Sequence, residues 1–284
     1  MKSRREFLKL SGAAAVAAGV GQRALAARLS LPIGLQLYSV RELLPKDFDG
    51  TLKQLHGMDY GVAEAAGYFN KTAAEWKKAM DDAGLRCISS HHVLADLKSK
   101  LNELIDYGKA IGLEYMICSW AGMHRDPAKK GELNLDDWRW VADQFNEIGQ
   151  QVKAAGMQFG YHNHTIEFRT EDGVLYYDEL LKRTDPKYVI FEMDCGWVVA
   201  AGYDPVTRLS KTPERFPLLH VKDMTKGAGN DWHSVVLGTG VIDYHRIFKA
   251  ATGLKQYFIE QEAFKGDALS ELRQDAEYME SFNV

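Results

Sequence analysis

Eight short apolar or β-branched runs, each followed by a longer stretch with helical spacing, restrict this chain more than any other feature. The runs are "IGLQLYS" (33–39), "YGVAEAA" (60–66), "LRCISS" (85–90), "EYMICSW" (114–120), "MQFGYHN" (157–163), "YVIFEMD" (188–194), "LLHVKD" (218–223) and "YFIEQE" (257–262). Each has the length of a strand buried on both faces, as parallel strands are. The stretches between them carry helix signals. "TAAEWKKAMDDAG" opens on Thr72 with Glu75 three residues on, a capping box, and stops at Gly84. "LADLKSKLNELIDYGKAIG" ends at Gly112 and "LDDWRWVADQFNEIGQQVKAAG" at Gly156. Further helices fit "YYDELLKRTDP", "DPVTRLSK" with Pro205 in a first turn, "DYHRIFKAATG" and "GDALSELRQDAEYMESF", and a first, weaker one lies around "DGTLKQLHGM".

Eight alternations over about 250 residues predict an α/β fold, the (β/α)8 or TIM barrel. A doubly wound open sheet would need a Gly-rich phosphate loop after its first strand, and "LQLYSVRE" has none. No linker or low-complexity tract divides the chain, so a single barrel domain is expected over residues 27–284.

Residues 1–26 are set aside as an export signal. They combine a basic start, a short run of small apolar residues from Gly12 to Val20 and a small-x-small site at Ala24, Leu25 and Ala26. The uncharged run is shorter than the roughly 20 residues a membrane-crossing helix needs, so no stable membrane anchor is expected after cleavage. Arg4 and Arg5, followed by Glu6, Phe7, Leu8 and Lys9, resemble the twin-arginine signal, which implies a periplasmic or otherwise exported protein. Without this segment the balance of 35 basic against 39 acidic residues becomes 30 against 38. That acidity opposes a nucleic-acid partner, which requires clustered cations. Cys87, Cys118 and Cys195 are odd in number and each lies in an apolar run, as free buried thiols do.

In a (β/α)8 barrel the C-terminal strand ends carry the chemistry. Polar residues collect there: Gln36, Tyr38, Glu64, His91, His92, Trp120, His162, His164, Asp194, His220, Lys222, Glu260 and Glu262. Residues two apart on a strand share a face, so His162 with His164, His220 with Lys222, and Glu260 with Glu262 point the same way. Any one histidine is adequately explained by packing or solvation, and Lys222 could pair with Asp223 or Glu262 without an ion. Acids and imidazoles converging from four successive strands need a common partner, because unpaired buried charge costs several kcal/mol. One divalent metal ion supplies it, and the mixed ligand set suits Mn, Zn, Co or Fe better than Ca.

The ordered motifs "GYHNHTIEF", "FEMDCGW", "LLHVKDM", "VVLGTGVIDYHRIFKAA" and "YFIEQE" resemble the sugar phosphate isomerase/epimerase family, the xylose isomerase-like TIM barrels that also include type IV apurinic endonucleases. The resemblance runs from about Ile33 to the C-terminus. It implies a metal held by Asp194, His220 and Glu260 and by a strand-five glutamate, whose place His162 takes; Glu262 competes with Glu260. It further implies a small-molecule sugar substrate and proton abstraction next to a carbonyl through a metal-stabilised enediolate. In sugar epimerases of this kind two metal-bound glutamates act on opposite faces of the reacting carbon. With one replaced, the proton is expected to move through Glu260 and through His164 or Glu167, with Lys222 as electrophile or clamp. Substrate contacts are expected from Gln36, Tyr38, Glu64, His91, Trp120, Trp197 and Glu262, whereas Trp76, Trp138 and Trp140 are expected to pack on helices.

The first expectation for activity is therefore a metal-dependent sugar isomerase or epimerase. The alternative keeps the metal and the abstraction but ends in elimination or hydration on a keto-sugar or 3-keto-glycoside; the missing glutamate and the export signal favour it. A non-catalytic barrel binding oligosaccharide through Tyr38, Tyr68, Trp120 and Trp197 would need no metal. The three-metal endonuclease site would need more ligands than the chain matches. A homo-oligomer is compatible with all of these.

Overall fold

The computed structural model describes residues 31–229 and 231–282. Eight parallel strands close into one barrel: β1 Ile33–Gln36, β2 Tyr60–Ala66, β3 Arg86–Val93, β4 Tyr115–Trp120, β5 Gln158–His162, β6 Val189–Asp194, β7 Leu218–Val221 and β8 Gln256–Ile259. Closure is completed where β1 pairs with both β2 and β8. Around the barrel run α1 Phe48–His56, α2 Ala73–Ala83, α3 Leu94–Ile111, α4 Leu135–Ala154, α5 Tyr176–Arg183, α6 Cys195–Ala200, α7 Pro205–Lys211, α8 Tyr244–Ala250 and α9 Ala268–Glu280. The α/β alternation is that of a TIM barrel. None of these helices is long and apolar enough to cross a membrane, and the export signal expected at residues 1–26 lies outside the described residues.

Local chemistry sets the helix ends as the sequence predicts. The Thr72 hydroxyl accepts the Glu75 N–H while the Glu75 carboxylate accepts the Thr72 N–H, and α2 closes on Gly84 at φ 81°. A second reciprocal box, Asn134 with Asp137, starts α4. Three strands are shorter than predicted. After Gln36 the chain turns into a single 3₁₀ turn at Leu37–Val40. After Val221 it resumes as an antiparallel ribbon pairing Asp223–Lys226 with Trp232–Val235. After Ile259 it leaves the sheet, so Glu260 and Glu262 stand on a loop.

Most apolar side chains lie between barrel and helices, while a separate small core fills the barrel floor: Val62, Ile88, Ile117, Ile190, Leu218 and Phe258. Two strands contribute glycine to this floor because nothing larger fits. A Cβ on Gly160 would stand 2.7 Å from Ile117 Cδ1 and 3.0 Å from an Ile190 carbon, and one on Gly34 would stand 2.7 Å from Phe258 Cδ1. Advancing two residues keeps the inward face. That step changes the interior from apolar to polar and ionisable groups: Gly34 to Gln36, Val62 to Glu64, Gly160 to His162, Ile190 to Glu192, Leu218 to His220, Phe258 to Glu260.

Candidate metal centre and mouth of the barrel

His162, Asp194, His220 and Glu260 each bring a ligand atom to within 4.8 Å of the others, all four side chains buried. Asp194 is the last residue of β6 and also the N-cap of α6. Its Oδ1 accepts the Trp197 N–H at 2.9 Å, which leaves Oδ2 free to face the centre. Asp194 Oδ2 and His162 Nδ1 are buried without a hydrogen-bond partner. Asp194 Oδ2, with no hydrogen-bond partner, and three further buried donors converging on it fit a cation there, and imidazole with carboxylate is the donor set of Mn, Zn, Fe or Co.

The two histidines face different carboxylates with their two nitrogens. His220 Nδ1 lies 3.0 Å from Glu260 Oε2, while Nε2 lies 2.7 Å from Glu64 Oε2 and 3.2 Å from Glu192 Oε2. His162 Nε2 lies 3.9 Å from Asp194 Oδ2 and Nδ1 lies 3.3 Å from Glu192 Oε2. A ligating imidazole characteristically hands its other nitrogen to a carboxylate, which fixes tautomer and ring plane. Glu64 and Glu192 do this from other strands of the barrel.

Two expectations are corrected by burial. Gln36 and Glu64, expected as substrate contacts, are fully buried. Glu64 accepts from Gln36 Nε2 at 2.7 Å, from the Ser89 hydroxyl at 2.6 Å and pairs with His220, so it orients other groups. His91 bridges Glu192 at 2.7 Å and Glu64 at 3.0 Å, stacks on His220, and forms with His162, Glu192 and His220 a second grouping of metal-ligating type. Glu192 is the site residue that sequence reading missed. Its signal was present, since it precedes Asp194 by two and therefore shares its face.

Protonation follows from this crowding. Burial alone would lower His91, but Glu64 and Glu192 raise it to about 9, and Glu192 and Glu260 likewise hold His220 well above the ordinary imidazole range. Burial alone would raise Glu64 and Glu260; the first is lowered by His91 and His220, the second by Lys222 and His220. For Asp194 burial wins, and its carboxyl is raised. His162 goes the other way, neutralised by burial and then by His220 and His91. Protonated imidazoles and a metal ion are alternative ways of balancing the same acids.

Lys222 is completely buried, with Nζ 2.7 Å from Asp194 Oδ2, 2.8 Å from Glu260 Oε2 and 2.5 Å from Glu262 Oε1. Its contact with Asp194 Oδ2 is Coulombic, since it lacks hydrogen-bond alignment. The ammonium also lies 4.8 Å over the Trp197 ring. These carboxylates overcome burial and push Lys222 above the usual lysine range.

Above these groups opens a cavity of 560 Å³ lined in part by Tyr38, His91, Trp120, His162, His164, Glu260 and Glu262. His164 stands edge-on to Trp120, 5.5 Å between ring centres, and 6.2 Å from Trp197. Burial, and then Lys222, lowers His164 to about 3, so its ring is neutral, and Nδ1 has no partner. Glu167, expected to move a proton, does not reach the cavity. It accepts the Tyr161 hydroxyl and, at 3.0 Å, the His164 backbone N–H, and burial raises it to about 7. It positions His164. Trp76 and Trp138 are buried in helix packing, and Trp140 packs partly buried against the core.

Comparison with known proteins gives the same architecture. A family model described as a xylose isomerase-like TIM barrel matches residues 52–282. The solved structure of a sugar phosphate isomerase/epimerase from Parabacteroides distasonis ATCC 8503 superposes with a TM-score of 0.71 at 30% identity, covering 89% of this chain and 99% of that one. An inosose dehydratase of Geobacillus kaustophilus (strain HTA426) is 25% identical over 70% of this chain and 74% of its own length. An inosose dehydratase of Lacticaseibacillus casei is 26% identical over 51% of this chain, and the match spans about half, 50%, of that relative.

Proposed function

The chain belongs to the xylose isomerase-like TIM barrel family, and from that premise we propose that it is a divalent-metal-dependent lyase that eliminates water from a polyhydroxylated cyclic ketone or an alcohol from a keto-glycoside. His162, Asp194, His220 and Glu260 would hold the ion, of Mn, Zn, Co or Fe type. Bound there, it would act as a Lewis acid toward the ketone oxygen.

One observation carries the choice of elimination. Epimerisation needs a proton-transfer group on each face of the reacting carbon, and where that second group is expected this chain has His162. His162 is 2% exposed, with its nitrogens turned to Glu192 and Asp194. His164 lines the cavity as a neutral base, its Nδ1 buried without a partner. It takes the proton from the carbon beside the carbonyl, and the electrons of that C–H bond become the new C=C bond. The β C–O bond breaks, and the proton passes from His164 to the departing oxygen, so water or an alcohol leaves without any further reactant. Glu260, held ionised by Lys222 and His220, and the Lys222 ammonium fix the charge around the carbonyl. The dehydratase names of two relatives support this reading. Sugar isomerisation or epimerisation is the second reading, favoured by the name of the 30%-identical structure.

Incubation with keto-sugars and 3-keto-glycosides in heavy water with added Mn or Zn separates the two. Elimination gives an enone with a new ultraviolet absorption and a lost water or alcohol; an unchanged mass plus one deuterium rejects the lyase in favour of the epimerase. We further propose that residues 1–26 direct export, to be tested by fractionating cells that carry Arg4→Lys with Arg5→Lys. Retention of the variant in the cytosol is the expected result.

A further inference from the structure

We propose that the mouth of the barrel has a second compartment, across Trp120 from the ion-binding centre, that takes the second ring of a disaccharide-sized substrate. This rests on reading the mouth as a sugar site. Among the described residues the exposed large hydrophobic side chains are Tyr38 at 43%, Val93 at 39%, Trp120 at 44% and Val241, and the first three line the same cavity. Apolar surface gathered at a polar mouth marks a contact surface for ligand.

Trp120 also lines a neighbouring cavity of 240 Å³, with Leu133, Trp138, Ile166, Glu132 and Arg169. The indole is therefore a partition with a free space on each side. Its position is built into the backbone: a Cβ on residue 122 would stand 2.2 Å from Trp120 Nε1, so only Gly122 lets the ring lie there, and His164 meets the ring edge-on from the other side. A pyranose ring has an apolar C–H face and an edge of hydroxyls. The second cavity offers the matching pair, indole and aliphatic walls with the Arg169–Glu132 ion pair beside them. The first ring would lie over His164 and Glu260, and the bond joining the rings would cross beside Trp120.

Equilibrium binding needs no turnover, so it separates this inference from the assignment of the reaction. The probes are glucose, the disaccharides maltose, cellobiose and lactose, and phenyl glucoside, titrated by calorimetry into the metal-loaded protein. At least one disaccharide should bind tenfold or more tightly than glucose. Leu133→Trp, which fills the second cavity, should remove that preference while leaving glucose binding unchanged, and unchanged glucose binding reports an intact fold. Arg169→Ala should reduce the preference severalfold. Disaccharides binding no better than glucose, or a preference that survives Leu133→Trp, would overturn the second compartment. Phenyl glucoside matching the best disaccharide would overturn its assignment to a sugar ring. A disaccharide preference without any elimination product would leave this inference standing and reject the lyase.

Discussion

Replacing Lys222 by methionine tests whether ammonium and metal balance the same carboxylates. Lys222 Nζ lies 2.7 Å from Asp194 Oδ2 and 2.8 Å from Glu260 Oε2, and both oxygens belong to residues of the proposed ion site. At an effective dielectric of about 20, unit charges at such a separation attract by about 6 kcal/mol, most of which offsets the desolvation of the buried ions. Removing one partner of a buried pair leaves the other uncompensated, and the net loss is about 3–5 kcal/mol. For a domain of this size each kcal/mol shifts the melting temperature by roughly 2–4 °C, so metal-stripped Lys222→Met should melt roughly 10 °C below metal-stripped wild type. A divalent ion would restore the missing positive charge. The stabilisation on adding Mn or Zn should therefore be larger in the variant, with metal binding tightened in the same proportion. The assay is thermal denaturation of both proteins in chelator and in excess metal. Equal melting points in chelator, or an equal metal-induced rise, would refute the reasoning.

Four further substitutions probe the ion site, a buried acid and the barrel floor. Asp194→Asn keeps an acceptor for the Trp197 N–H cap but removes a charged ligand, and with His220→Ala it should lose metal by elemental analysis and abolish turnover; full metal occupancy in either variant contradicts the ligand assignment. Burial raises the Asp275 carboxyl from 3.8 to about 7 while one oxygen accepts the Leu237 N–H. Because the folded state favours the protonated acid, its contribution is complete below about pH 4 and is lost as pH rises through 7. Wild type should lose stability relative to Asp275→Asn between pH 4 and 8 by at most about 4 kcal/mol, and denaturant midpoints that move in parallel would exclude it. Gly160→Ala pushes a methyl against Ile117 and Ile190 and should cost about 1–3 kcal/mol by urea unfolding; an unchanged midpoint would show that the barrel floor yields.

How much of this was legible beforehand depended on how local the cause is. The barrel, its eight strands and the Thr72–Glu75 box follow from spacing within a few residues, and they appear where the spacing puts them. The strand ends at Gln36, Val221 and Ile259 did not, because polar residues continue the strand alternation there while loop contacts take the chain out of the sheet. At the end of β8 the Ser234 hydroxyl accepts the Glu262 and Ala263 N–H groups, a contact made across the ribbon that no local signal announces.

Acids and histidines two residues beyond an apolar floor are already written into the chain, because alternation on a strand is fixed by backbone geometry. Which of them meet depends on how the barrel closes. His220 divides its two nitrogens between Glu260 and Glu64, residues 40 and 156 positions away, and Lys222 finds Asp194, Glu260 and Glu262 on neighbouring strand ends. Those pairings are set by barrel closure and strand register, which bring distant strands to one height. The same register sets Glu192 opposite His162 and Glu64 opposite Gln36, and leaves His164 and Trp120 at the mouth.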